Sequence, residues 1–255
     1  MSIAKLEHEI TSPDGSAEGS RRLRVVHARE QVNLPAAERA VHDLLLALGR
    51  DPSSPHLADT PRRVATSFKE MLTPREFDLT TFPNDEHYDE LVLVKTIPVH
   101  SLCEHHMLPF TGVAHVGYLP RERILGLSKL ARVVELFARD LQVQERLTVQ
   151  VANWLQEHLD PKGVGVVIEA EHMCMSLRGV QAQGSRTITS SVHGLLREDA
   201  PSRQEFFTLT GACCAFRGPS PPLQSPQPTQ PKEVPHGLRT DICHRRREPG
   251  RSQGG

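Results

Sequence analysis

The spacing of apolar residues changes period along this chain, and the changes set an order of elements that the fold must accommodate. Ala37, Ala40, Val41, Leu44, Leu45 and Leu48 recur at three-to-four spacing after Pro35, and Gly49 closes the run. A helix is expected there. Thr60-Pro61 opens a second helix, with Thr60 as its cap and Val64, Ala65, Phe68, Met71 and Leu72 as its stripe. Leu91–Val94, Ile97–Val99 and Thr111–Leu119 then read as extended chain. A third helix, capped by Ser128, shows Leu130, Val134, Phe137 and Leu141 on one face. A fourth runs from about Gln144 to Leu159 and ends at Asp160-Pro161. Gly163–Ala170 and Ser185–Val192 read as two more strands. This order points to an α+β fold: an antiparallel four-stranded sheet with two helices on one face, preceded by N-terminal helices. The edges of so small a sheet need covering or pairing, which favours an oligomer.

The chain has 255 residues, enough for one large domain or two ordinary ones. Its ends differ from its body. Residues 1–33 are polar and read as a flexible arm. Residues 211–255 hold 8 of the 20 prolines and 6 of the 17 glycines, a composition that predicts disorder. That tail carries +4, so the formal net charge of −1 leaves −5 on residues 1–210. A body of that charge argues against binding nucleic acid by bulk electrostatics. No run of apolar residues is long enough to span a membrane. Met1–Ile10 lacks the apolar core of an export signal. Five cysteines are too few and too odd in number for a disulfide scaffold. A cytoplasmic protein with reduced thiols is the expectation.

The chemistry concentrates in two segments. Ser101-Leu102-Cys103-Glu104-His105-His106-Met107 separates Cys103 and His106 by two residues, a spacing that lets both face one ion. His172-Met173-Cys174-Met175-Ser176-Leu177-Arg178-Gly179 supplies a second thiol. Two thiolates and an imidazole suit Zn²⁺. Three protein ligands leave a position for water, the catalytic arrangement, whereas a structural site needs a fourth ligand. Candidates for a fourth are His105, His100, His115 and His172. A histidine beside a ligand can also serve as acid or base. Adjacent residues of an extended chain point opposite ways, so His105 and His106 have different tasks unless the run is a tight turn.

A second constellation suits anions. Ser128, Lys129 and Arg132 present donors at the positive end of a helix, and Arg178 can add to them. Gln144 and Glu145 form an amide–carboxylate pair. A carboxylate can accept both N1–H and the 2-amino group of a guanine edge.

Cys-Glu-His-His at 103–106, Gly-Leu-Ser-Lys-Leu-Ala-Arg at 126–132, Gln-Val-Gln-Glu-Arg-Leu-Thr at 142–148 and His-Met-Cys-Met-Ser-Leu-Arg-Gly at 172–179 closely resemble type I GTP cyclohydrolase. The resemblance covers roughly residues 35–209 and implies the tunnelling fold (T-fold), whose strands join across subunits into an oligomeric barrel. It implies helices at 34–73 and a T-fold at 88–210 within a catalytic domain of residues 34–210, followed by the tail at 211–255. It further implies a homodecamer with sites between subunits. Cys103, His106 and Cys174 match the family's zinc ligands, one Zn²⁺ per subunit. His105 and His172 match its catalytic histidines. Ser128, Lys129, Arg132 and Arg178 match positions that hold ribose and triphosphate, and Gln144 and Glu145 match the guanine pocket. The implied reaction converts GTP to 7,8-dihydroneopterin triphosphate and formate, the first step of tetrahydrofolate and pterin biosynthesis. A zinc-stabilised GTP-binding regulatory module without catalysis is the alternative. Partners other than GTP and further copies of the chain, such as nucleic acid or membrane, are not expected.

Overall fold

The computed structural model describes residues 4–10, 21–27 and 32–211. Two strands, β1 (Ala4–Ile10) and β2 (Arg21–His27), precede the helices α1 (Leu34–Ala47) and α2 (Thr60–Leu72). Then come β3 (Phe77–Pro83), β4 (Val92–Cys103), β5 (Pro109–Leu119), β6 (Arg123–Leu125) and α3 (Leu127–Ala138). A two-residue β7 (Leu141–Gln142) leads into α4 (Gln144–Leu159). The order closes with β8 (Gly163–His172), α5 (Met173–Ser176), β9 (Thr187–Gly194), α6 (Leu195–Glu198) and α7 (Ala200–Thr210).

The expected antiparallel strands form the centre of a five-stranded sheet in the order β7-β4-β5-β8-β9. Its short β7 runs parallel to β4 through Leu102↔Leu141 and Cys103↔Gln142. A second sheet, β1-β2-β3-β6, was not foreseen. The segment expected as a flexible arm, residues 1–33, holds strands at 4–10 and 21–27, and much of the rest of it lies outside the described residues. Arg21–Val25 pairs antiparallel with Phe77–Thr81, so the backbone groups of β2 find partners on β3. Residues 11–20 and the Pro/Gly/Arg-rich tail beyond Gly211 lie outside the described residues.

Strand alternation explains the layers. Val164, Val166 and Ile168 of β8 join Val99, Phe110, Ala114 and Val116 in one core, onto which α3 and α4 pack with Leu130, Val134, Leu147, Val151 and Leu155. The alternate residue Val167 faces a smaller cluster with Leu119, Leu196 and Phe206. Helices therefore cover both faces of β8, not one, because the ring of Phe206 lies over Gly165. Among the described residues, no helix is long and apolar enough to cross a membrane.

Two helix starts differ from expectation. Gly126, not Ser128, precedes α3 as its cap, since its N–H bonds Thr80 O and holds the chain extended through that residue. Ser128 then falls in the first turn. Asp59, not Thr60, stands before α2, and its carboxylate takes the side chains of Arg62 and Arg63. The bounds of α4 agree with the sequence pattern, because Asp160 in a left-handed conformation before Pro161 cannot continue a helix.

One ion cluster ties α3 to the chain after α2. Glu135 accepts two bonds of 2.7 Å from Arg75 and also contacts Arg139 at 3.1 Å and Arg132 at 3.3 Å. Burial pushes the Glu135 carboxyl up, but the hydrogen bonds and charge of Arg75, with Arg139 and Arg132, outweigh it and hold it below its ordinary value. A depressed carboxyl contributes stability above its unfolded pKa of about 4.3 and loses it as pH falls through the folded value. Glu135→Gln is expected to cost ~2 kcal/mol at pH 7, about 5 °C in Tm. The gap to wild type should close as pH falls from 7 to below the ordinary carboxylate range. Thermal melts at both pH values test this, and a constant gap would contradict it.

Candidate active site and metal centre

The central strand β5 brings the two chemical segments together. Cys103 ends β4, and the chain turns at once: Cys103 O accepts from Met107 N–H at 2.8 Å, and Cys103 N–H donates to Leu108 O at 2.8 Å. The run is the tight turn that the alternation argument left open. On the other side of β5, Phe110 stands opposite His172, so the end of β8 delivers Cys174 to the same place. The Cys103 and Cys174 sulfurs lie 3.9 Å apart, and Cys103 Sγ lies 4.0 Å from His106 Nδ1. The ligand atoms of Cys103, His106 and Cys174 all fall within 4.8 Å of one another.

This donor set fits a tetrahedral zinc ion. Zn–S bonds of about 2.3 Å at the tetrahedral angle separate two sulfurs by about 3.8 Å. A disulfide would need a separation of about 2.05 Å, and both thiols are free. Burial and the neighbouring Cys103 push the Cys174 thiol above its ordinary value, against the opposing charge of Arg178. A divalent cation relieves that crowding of two thiols. Cys103 is buried, Cys174 half-buried and His106 exposed, so the group opens to the surface on one side.

His105 is exposed at the rim, its Nδ1 3.9 Å from Cys103 Sγ. Its ring stands edge-on to His106 at 6.4 Å. Arg178 Nη1 lies 3.2 Å from His106 Nε2. His172 is stacked on Phe110 at 4.5 Å, and its Nε2 lies 2.8 Å from Gln144 Oε1. Burial holds the His172 imidazole below its ordinary pKa, with Glu145 opposing. The neutral ring can therefore both donate and accept.

Gln144, expected in the guanine pocket, bonds within its own subunit. It is 1% exposed, and its amide donates to Ile168 O, Thr187 O and Thr189 Oγ1 at 2.9–3.1 Å. Its oxygen lies on His172, so both ends of the side chain have partners within the subunit. Glu145 is exposed beside it and keeps a free carboxylate edge. Ser128 is exposed and Lys129 half-buried in the first turn of α3, while Arg132 pairs with Glu135. Among the described residues, no hydrogen bond or ion pair of these three reaches the cysteine–histidine group. A cavity of about 580 Å³, lined by Arg75, His100, Thr111, Glu135 and Met173, lies beside the ligand atoms rather than at them.

Three residues escaped the sequence reading. Arg146 bonds Glu104 at 2.6 Å, Leu141 O at 2.8 Å and Gln142 Oε1 at 3.1 Å, which locks α4 to the Cys103 turn. Phe110 is fully buried against His172. Thr189 holds Gln144. The partners that tie them to the site, Glu104 for Arg146, His172 for Phe110 and Gln144 for Thr189, are too distant in sequence for local spacing to reveal them.

The sequence profile of the family described as GTP cyclohydrolase I matches residues 37–211. The protein named GTP cyclohydrolase 1 from Mycobacteroides abscessus is 53% identical over 178 residues, 68% of this chain and 87% of its own. Those of Thermobifida fusca and Mycobacterium bovis are 50% identical over 183 residues and 51% over 199. These matches cover 70% and 76% of this chain and 88% and 96% of the relatives. The converging Cys-x-x-His and Cys segments thus sit inside the stretch that is shared, and the chain belongs to the GTP cyclohydrolase I family.

Proposed function

We propose that this chain hydrolyses and rearranges GTP to 7,8-dihydroneopterin triphosphate with release of formate, using one zinc ion per subunit. The observation that carries the reading is the convergence of Cys103, His106 and Cys174, with His105 and His172 beside them, in a chain about half identical to proteins named GTP cyclohydrolase 1. Bound there, zinc supplies Lewis acidity that activates water near neutral pH. The remaining work falls to the chain's own residues. His105, at the open rim, is placed to give and take protons as the imidazole ring of guanine opens and formate leaves. His172, held by Gln144 and stacked on Phe110, is a second proton carrier in the site. Glu145 accepts N1–H and the 2-amino group of guanine, so base reading rests on it more than on Gln144. Ser128, Lys129, Arg132 and Arg178 take ribose and triphosphate. The phosphates are a handle that orients the reacting end.

Self-association completes this reading. Among the described residues no hydrogen bond or ion pair joins Ser128 or Lys129 to their own subunit's cysteines, which favours a neighbour's α3 as the source of the triphosphate cradle. The outer edge of β9 has no partner among the described residues, and Ile188 on it is exposed. Helix α1 buries none of its residues, and its Leu44 and Leu46, with Leu48 just beyond it, are more than half exposed. An assembly such as a homodecamer would cover these surfaces. The reduced thiols suit a cytoplasmic setting.

Incubating the purified protein with GTP tests the proposal. Oxidised neopterin fluorescence and formate should rise together, one for one. GTP binding without either product would favour a non-catalytic module.

A further inference from the structure

We infer that Thr189 is a positioning residue for His172, acting through the side chain of Gln144. The inference rests on the proposed activity. It starts from which end of the Gln144 amide faces which way. Two of the three groups around its nitrogen are the backbone carbonyls of Ile168, at 3.1 Å, and Thr187, at 2.9 Å. Carbonyls only accept, so the NH₂ end must face β8 and β9. The amide oxygen is then left facing His172 Nε2 at 2.8 Å. That oxygen also only accepts, so Nε2 carries a hydrogen and donates it. The neutral ring consequently keeps the lone pair on Nδ1, and the tautomer of His172 is set from the far side of Gln144.

Thr189 closes this arrangement. Its hydroxyl lies 3.1 Å from the Gln144 amide nitrogen and 2.6 Å from the Thr148 hydroxyl. Thr148 Oγ1 in turn bonds the backbone oxygen of Gln144 at 2.8 Å. A backbone oxygen cannot donate, so the single hydroxyl hydrogen of Thr148 is committed to it. Thr189 must then give its own hydrogen to Thr148 and turn its lone pairs to the Gln144 amide. The ring of bonds begins and ends on one residue, leaves no alternative direction, and encloses Gln144 and Thr148, both 1% exposed. Of the three acceptors on the amide, Thr189 Oγ1 is the one a substitution can remove. Among the described residues no hydrogen bond joins Thr189 to His172 or to the cysteines, so its effect must pass through Gln144.

The test compares Thr189→Val, which keeps the shape and loses the hydroxyl, with Thr189→Ser, which keeps the hydroxyl. Wild type is assayed first on GTP, because an inactive wild type overturns the proposed activity and not this inference. With active wild type, Thr189→Val should lower kcat about tenfold, the scale of one lost hydrogen bond in the site, with KM for GTP within about twofold. Thr189→Ser should recover kcat to within about twofold of wild type, and bound zinc should stay unchanged in both. Wild-type kcat in Thr189→Val overturns the inference. So does an equal loss in Thr189→Ser, which would assign the effect to the methyl group, or a loss in Thr189→Val carried by KM alone. Should Thr189→Val not fold, Thr189→Ala removes the same hydroxyl without added bulk, and the same outcomes decide.

Discussion

Cys103→Ser and Cys174→Ser are each expected to abolish turnover of GTP and to empty the metal site. A serine hydroxyl does not ionise near neutral pH and makes a poor ligand for a borderline-soft cation. The two sulfurs lie 3.9 Å apart, so removing either leaves two members of the Cys103, His106 and Cys174 group. Metal catalysis of this kind contributes several kcal/mol to transition-state stabilisation, so the loss should be on the order of a thousandfold or more. The fold should survive. Cys103 is one small buried side chain in a core built mainly from Val, Leu, Ile and Phe, and Cys174 packs only at its margin. Zinc content by elemental analysis, turnover of GTP and the thermal melt, measured on the same samples, separate these effects. Full activity in a chelated, zinc-free variant would sink the ligand assignment.

Gly112→Ala is expected to damage the fold and the metal site together. Gly112 lies in the middle of β5, paired with Val99 on β4 and Ala170 on β8. A Cβ there would meet Glu169 O at 2.0 Å, Ala170 Cα at 2.6 Å and Ala170 Cβ at 2.8 Å. These are main-chain atoms and a methyl group, so no rotamer change relieves the clash. The strands must part, and β8 carries His172 and the approach to Cys174. Overpacking of this severity should cost ~3 kcal/mol or more, about 10 °C in Tm, and should weaken zinc retention. Gly126→Ala serves as the comparison, since its Cβ would meet nothing closer than 3.5 Å. It should change the melt by no more than ~1 kcal/mol. A wild-type melt for Gly112→Ala would refute the argument.

Much of this molecule is legible before any coordinates. Period-3.6 runs locate α1 to α4, because each buries or presents an apolar face that must repeat with the helix. The central strands follow from their β-branched runs and their flanking Pro and Gly. The Cys-x-x-His and Cys segments announce a metal because the chemistry demands those residue types. The misreadings share one cause. Ser128 and Thr60 have the right type for a cap but not the backbone position, which the pairing of Gly126 with Thr80 and the ions on Asp59 settle. Strand β3 alternates Phe77, Leu79 and Thr81 inward, but the sheet it belongs to becomes visible only when its neighbours pair with it.

Local order and donor chemistry were thus written in the residues, since both depend on neighbours one to four positions away. What waited for the tertiary structure was every relation across the sheet. Cys103 and Cys174 meet because β5 lies between β4 and β8 in a particular register. Gln144 reaches His172 with its oxygen because a carbonyl of β8 and one of β9 draw its amide nitrogen the other way. A hydrogen bond between residues 24 to 45 positions apart leaves no periodic trace, so only the folded chain reveals which way a buried amide points.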